Sequence, residues 1–404
     1  MNEVFLYYTN DFHSHVPKAI GMLKTLIRAR TASSIVVDTG DFSEGSPFFN
    51  LFGGVPEKKI IQKVYDFVAP GNHGFRDILD LYKQGFPVLN SNILLDGLPL
   101  FQAAKIVVKE KHKFGFVGIM SPEAFHAIET NFRRSLLIAD PFDVLDEILP
   151  LLKSKVDKVI VLSHSGIDYD ITIAEKFQEI DVILSSHCHS SILSVNVNNV
   201  LIAKAPELGK GFGELKISND GSLSSRLHSS FEEDAETDLD FLNPLRDQYK
   251  SCLNKRLFWI PDEFAQQYSS RSKLASHIVE NIIKDISPDF CILNSHTLRG
   301  ILPSGWITFE DIYQCTPFDN KLIKFTASRR KLFQILESLS CNARDYLHFN
   351  QLQVESDLIE VVTTDYLEEN IFHALEKFQY TNLLEFRTYL QNYCEKRFHK
   401  QPSI

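Results

Sequence analysis

The 404-residue sequence lacks several things that would each point to a particular class of protein. Its six cysteines (Cys188, Cys252, Cys291, Cys315, Cys341, Cys394) are scattered and form no C-x-x-C pair. That excludes a disulfide framework or a cysteine zinc module as the organising principle, and predicts reduced thiols in a cytoplasmic protein. No apolar run approaches the roughly eighteen residues that cross a bilayer, so no membrane partner is expected. The opening MNEVFLYY enters a strand-like run at once, without a basic segment, an apolar segment and a small-residue cleavage site, so no leader is expected. Basic residues are outnumbered, 42 against 52 acidic, for a net charge of −10. This argues against binding a nucleic-acid polymer or an anionic membrane, while leaving room for a local phosphate pocket. No internal repeat is visible.

What is present is an ordinary globular composition, 44 % hydrophobic and 23 % charged, with core enough for about two domains. Strand-like and helical runs alternate through the first part. Val4–Thr9, Pro87–Leu94, Ala104–Val108 and Phe114–Ile119 read as strands, and Ser33–Asp41, Phe67–Gly74, Asp157–Gly166 and Asp181–His189 as strands breaking into loops. Ala19–Arg30, Glu57–Tyr65, Asp77–Gly85, Val144–Lys153 and Ile171–Phe177 have helical spacing. Short β-rich segments follow to about Leu227, so an α/β domain is predicted over 1–230. The acidic stretch Glu232–Asp240 reads as a solvated linker, and Asn243-Pro244 as the start of a connecting helix, giving a boundary region over 231–262. A helix at Leu274–Lys284, a strand at Phe290–Asn294 and further alternation predict a smaller α/β domain over 263–404.

Polar side chains of metal-ligating type sit at the ends of successive strands of the first domain. They are Asp11 and His13 in NDFHSH, Asp41 in GDFSEG, Asn72 in PGNHG, His164 in LSHSG, and His187 and His189 in SHCH. Asp11 and His13, two apart on an extended backbone, point the same way. Any one of these segments alone is an ordinary turn or a satisfied core histidine. Their succession is not, because open α/β sheets gather ligands at the carboxyl ends of their strands. The donor types suit two borderline divalent cations such as Mn, Zn or Fe, bridged by a carboxylate.

In the order D-x-H, G-D-x-x-x-G, G-N-H, a strand-end His, then H-x-H, the first domain resembles the calcineurin-like metallophosphoesterases, specifically the two-domain 5′-nucleotidase family. The resemblance implies a four-layer αββα sandwich with Asp11, His13, Asp41 and His189 around one metal. Asn72, His164 and His187 would complete the second, with Asp41 bridging. His73 would be the transition-state stabiliser or leaving-group acid. The second domain is similar to the family's C-terminal domain. Asn294 and Arg299 in NSHTLRG fall where the family contacts the nucleotide. Phe318 in the segment Gly305–Ile323 falls on one of two base-stacking aromatics. The implied activity is hydrolysis of a phosphomonoester, most naturally a nucleotide, by metal-activated water, a step in nucleotide catabolism. Phosphodiester hydrolysis and a weakly active or inactive nucleotide-binding relative are the alternatives.

Four departures from the family pattern are legible. In GNHGFRD, Gly74 replaces an acid and Arg76 stands where an Asp orients the catalytic histidine, leaving Asp77 as the nearest substitute. Ser186 replaces a glycine before H-x-H. The glycines of the substrate loop are replaced by Ser295, His296 and Thr297. After VVTTDYL the usual glycine-rich aromatic loop is absent, Phe372 being the nearest aromatic to replace it, and the segment His348–Glu355 is short.

Overall fold

A computed structural model describes residues 3–231, 237–318, 320–339, 346–351, 356–372 and 379–398. Residues 232–236 of the acidic stretch, Cys341, and 373–378 of the segment after Phe372 lie outside the described residues. The chain divides into two compact units, Met1–Asp247 and Gln248–Ile404, the division falling inside the helix Leu242–Leu253.

The first unit is built on strands β1 (Val4–Thr9), β2 (Ser34–Asp38), β3 (Phe67–Val68), β4 (Ile93–Leu95), β5 (Leu98–Pro99), β6 (Ala104–Lys109) and β7 (His112–Met120). They are followed by β8 (Leu136–Ile138), β9 (Lys158–His164), β10 (Val182–Ser185), β11 (Ser194–Val197), β12 (Val200–Ala203), β13 (Phe212–Ile217) and β14 (Leu223–His228). One sheet runs β14-β13-β1-β2-β3 and the other β11-β12-β10-β9-β7-β6, with a small sheet β5-β4-β8 beside them. Strands β1, β2 and β3 are mutually parallel, as are β7, β9, β10 and β12.

Alternation explains how the two main sheets stack. Val4, Leu6 and Tyr8 of β1 and Ile35 and Val37 of β2 share one buried core with Phe114 and Phe116 of β7, Ile160 and Leu162 of β9, and Val182 and Leu184 of β10. The other face of the second sheet packs Val159, Val161, Ile183 and Ile202 against Leu145 and Leu149 of the helix Pro141–Lys153 and Ile173 of the helix Ile167–Lys176. Every residue of β2 is buried, so both of its faces are covered.

Two expectations are corrected. Pro87–Leu94 is not a continuous strand. Asn90 Oδ1 accepts the backbone N–H groups of Asn92 (3.1 Å) and Ile93 (2.8 Å), an Asx-type turn that delays regular pairing to Ile93. The described end of the acidic stretch is also not freely solvated, since Asp240 meets the buried Lys24 at 2.9 Å.

The second unit carries β15 (Arg256–Ile260), β16 (Phe290–Asn294), β17 (Gly305–Thr308), β18 (Lys321–Ser328), β19 (Leu347–Phe349), β20 (Leu358–Thr364) and β21 (Tyr380–Glu385). Its main sheet runs β19-β16-β20-β18-β21, and β15 pairs with β17 apart from it. Alternate residues of β16 feed two cores. Cys291 and Leu293 join the helix Arg271–Ile286, whereas Phe290 and Ile292 join Leu332 and Ile335 of the helix Arg329–Ser338. Among the described residues the five cysteines are unpaired, and burial pushes the Cys315 thiol up to about 12. No described helix is long and apolar enough to cross a membrane.

Candidate metal centre

The candidate ligands leave the carboxyl ends of β1, β2, β3, β9 and β10, and backbone hydrogen bonds tie their loops together. The loop after β1 is zipped to the loop after β2: Asp11 N–H to Gly40 O at 3.0 Å, His13 N–H to Asp41 O at 2.9 Å and Ser14 N–H to Phe42 O at 2.9 Å. Such turning is costly for side-chain-bearing residues. Asp11 (φ 46°), His13 (φ 48°), Asp41 (φ 56°) and His187 (φ 80°) all occupy the left-handed region, a strain typical of functional loops. Gly71 allows the closest approach, since a Cβ there would lie 2.1 Å from Asp41 Oδ1.

Two clusters result. Ligand atoms of Asp11, His13 and Asp41 lie within 4.8 Å of one another, and so do those of Asp41, His164 and His187. Asp41 belongs to both. Its Oδ1 lies 3.3 Å from His164 Nε2 and its Oδ2 3.6 Å from His13 Nε2. Asn72 Oδ1 joins the second cluster, 3.0 Å from His164 Nε2 and 2.9 Å from His187 Nδ1. Asp11 links the two clusters, accepting from the backbone N–H of His187 at 2.9 Å, and it also accepts from Asn10 Nδ2 at 2.8 Å.

The donor set fits divalent cations. His13 is buried with both ring nitrogens lacking a hydrogen-bond partner, and burial lowers its pKa to about 3, so it presents neutral lone pairs. Burial opposes ionisation of Asp41, but the imidazoles of His164, His73 and His13 overcome this and hold it far below the usual carboxylate range. Burial likewise opposes a proton on His164, and the Asp41 carboxylate reverses the balance, raising His164 to about 9. That proton lies where positive charge is favoured, and a cation would compete with it.

Hydrogen bonds behind the ligands set their tautomers. His164 Nδ1 faces Thr39 O (3.1 Å) and Ser186 Oγ (2.9 Å), which leaves Nε2 toward Asp41 and Asn72. Ser186, at first sight a mild replacement of glycine, is therefore a support for a ligand. His189 is 42 % exposed and stands apart from the two tight clusters, its ring centroid 5.6 Å from that of His13. Its Nδ1 meets Glu207 Oε2 at 2.8 Å, and the buried Lys204 reaches the same oxygen at 3.5 Å while also donating to Cys188 O and Ser190 O. Sequence reasoning missed Glu207 and Lys204. The signal was a lysine at the end of β12 followed three residues later by an acid in AKAPE.

His73 lies beside the first cluster, half-buried, its ring centroid 5.2 Å from that of His13. Its backbone N–H donates to Asp41 Oδ1 at 2.8 Å. Asp77 is not its carboxylate partner. Asp77 lies in the first turn of the helix Phe75–Lys83, buried against Gly54 and 3.4 Å from Lys58 Nζ. The carboxylate beside His73 is Glu44, with Oε2 3.5 Å from Nδ1. Burial disfavours the charged ring, but Asp41 and Glu44 together raise its pKa above the ordinary value.

In the second unit the expected contacts fare unevenly. Arg299 is exposed and its guanidinium carbon lies 5.1 Å from the Phe318 ring centroid, so these two residues come together. Asn294 Oδ1 is taken by His296 N–H at 2.7 Å, capping a short turn. Phe372 is corrected as a stacking ring: it is fully buried, 6.0 Å from Phe325 in the core. His296 meets Tyr346, a residue the sequence did not single out, just before β19, with ring centroids 4.0 Å apart and the planes tilted by 37°.

Residues 6–191 match the family model for calcineurin-like phosphoesterase, and residues 260–367 match that for the 5′-nucleotidase C-terminal domain. The chain is 25 % identical to the 5′-nucleotidase of Bos taurus over 78 % of this chain and 68 % of that one. It is 21 % identical to the trifunctional nucleotide phosphoesterase protein YfkN of Bacillus subtilis over 83 % of this chain, but spans only 27 % of that protein's length. The solved 5′-nucleotidase precursor of Thermus thermophilus superposes with a TM-score of 0.75, covering 100 % of this chain and 98 % of that one at 18 % identity. Similarity at this level carries the two-domain fold.

Proposed function

From the chain's membership of the two-domain calcineurin-like phosphoesterases of the 5′-nucleotidase family, we propose that it hydrolyses a phosphomonoester, most naturally a nucleotide, with two divalent metal ions. The observation that carries this is Asp41, one carboxylate shared by two ligand clusters at the carboxyl ends of the strands. Asp11, His13, Asp41 and His189 would hold one ion, and Asp41, Asn72, His164 and His187 the other. Ions bound there would polarise the phosphoryl oxygens and lower the pKa of a coordinated water from 15.7 to about 7.

The chain's own residues supply the rest. His73, with Nδ1 toward Glu44, keeps Nε2 to hold a proton for the leaving oxygen or to stabilise charge on the transferring group. Arg299 offers a planar donor fork to phosphate or ribose, Phe318 offers a ring for the base, and Asn294 would add a polar contact through its Nδ2. The eroded second aromatic supports a substrate range that differs from that of a nucleotidase with two stacking rings. A nucleotide-binding relative without turnover is the second reading, favoured by Arg76 in place of the orienting acid. The five cysteines unpaired among the described residues support a reducing compartment.

The test is turnover of a panel of nucleoside monophosphates, an aryl phosphate and phosphodiesters by Mn- or Zn-loaded protein, with thermal shift in parallel. Monoester turnover supports the proposal. Ligand-induced stabilisation without turnover supports the second reading, and diester turnover without monoester turnover contradicts the proposed substrate class.

A further inference from the structure

The loop after β2 grips residue 73 at two points. Asp41 Oδ1 takes its backbone N–H at 2.8 Å, and the Glu44 carboxylate stands 3.5 Å from ring Nδ1. Among the described residues Glu44 is the carboxylate within 4 Å of that ring. Catalytic hydrogen bonds are often this long before substrate closes the site. Glu44 reaches its place from a left-handed backbone, φ 67°, an unfavourable setting for a residue with a Cβ.

The neighbouring departures from the family pattern belong to the same arrangement. Gly74 has φ 64°, and a Cβ there would lie 2.6 Å from Ser43 Cβ and 3.2 Å from Ser43 Cα. A side chain at that position would crowd Ser43, the residue before Glu44. Arg76 is 54 % exposed and its Nε lies 3.9 Å from Asp77 Oδ1. Asp77 in turn is drawn to Lys58. The helix after His73 thus contributes no acid to the ring, and the preceding loop does.

We propose that Glu44 is the positioning residue for His73, its carboxylate accepting the Nδ1–H and so fixing the ring's tautomer and aim while leaving Nε2 free. This rests on the phosphohydrolase reading above. The acid facing the ring comes from the loop after β2 and not from the helix that follows the histidine.

A double-mutant cycle on the full-length zinc-loaded protein tests it, using Glu44→Ala, Glu44→Gln, His73→Asn and the Glu44→Ala/His73→Asn pair. Glu44→Ala is expected to lower kcat about 10- to 100-fold with KM little changed, and Glu44→Gln, which keeps an acceptor, to lose less. In the His73→Asn background the Glu44→Ala change should cost nothing further. Additive losses would overturn the proposal, as would a kcat loss accompanied by a matching loss of bound zinc. If the wild type hydrolyses no phosphomonoester, the functional reading fails by itself. The positioning claim is then read from ring ¹⁵N shifts, with His73 Nδ1-protonated in the wild type and redistributed in Glu44→Ala. An unchanged tautomer contradicts it.

Discussion

The two units differ in what holds their candidate residues. In the first, each ligand follows a buried parallel strand, and the loops are cross-linked by backbone bonds such as Asp11 N–H to Gly40 O and His13 N–H to Asp41 O. Those contacts depend on strand order and backbone geometry, so the Gly-to-Ser change at Ser186 is absorbed and even used, its hydroxyl lying 2.9 Å from His164 Nδ1. In the second, the candidate contacts are a loop arginine, a half-buried ring and an asparagine whose oxygen is already spent on His296. There Ser295, His296 and Thr297 form a short turn, with the His296 ring 4.0 Å from that of Tyr346. A site assembled by strand ends tolerates sequence drift, whereas one carried by a single loop is rewritten by it.

The sharpest way to break this comparison is Asp41→Asn. Because Asp41 serves both clusters, it should reduce turnover by about 10⁴-fold or more and remove bound metal, as the ions supply several kcal/mol of charge stabilisation. Retention of both metals would show that the clusters do not share this carboxylate functionally. His73→Asn comes next, with kcat expected to fall about 10²- to 10⁴-fold and metal content unchanged on elemental analysis. A smaller effect follows from Glu207→Ala, which removes the acceptor at His189 Nδ1: metal affinity should weaken about 10- to 100-fold in titration calorimetry, and an unchanged affinity would leave His189 outside the site. For the second unit, Phe318→Ala should raise KM for a nucleotide about tenfold and leave kcat alone, within the roughly 1–3 kcal/mol of a stacked base. Equal KM for nucleotide and aryl phosphate before and after would remove Phe318 from recognition.

The smallest effect concerns the frame. Burial raises Asp170 to about 7, so the fold favours its neutral form. Its contribution is full below the unfolded value of about 3.9 and is lost as pH rises toward 7. Asp170→Asn keeps an acceptor for Ser163 Oγ and should gain thermal stability over the wild type progressively between about pH 4 and 7. A difference that does not vary with pH would contradict the assignment.

How much was legible follows from the same contrast. Val4–Thr9 and Phe290–Asn294 were readable because β-forming runs end abruptly in polar residues. The order of ligands was readable because each is a short local motif. Glu44 was hidden inside G-D-x-x-x-G, where only the first two residues and the last carry the pattern. Its role depends on the loop after β2 crossing the loop after β3, which is a tertiary fact. Asp77 is the nearest acid to His73 in the chain but turns toward Lys58, since a residue in a helix's first turn follows the helix and not the preceding loop. Phe372 failed for a similar reason, its ring being claimed by the core.

The central claim is a two-metal centre bridged by Asp41. Metal-to-protein stoichiometry, measured by elemental analysis after equilibration with zinc for wild type and Asp41→Asn, tests it most directly. The account predicts two ions per chain in the wild type and loss of both in the variant. A wild-type ratio of one or none, or a variant that retains both ions, would contradict it.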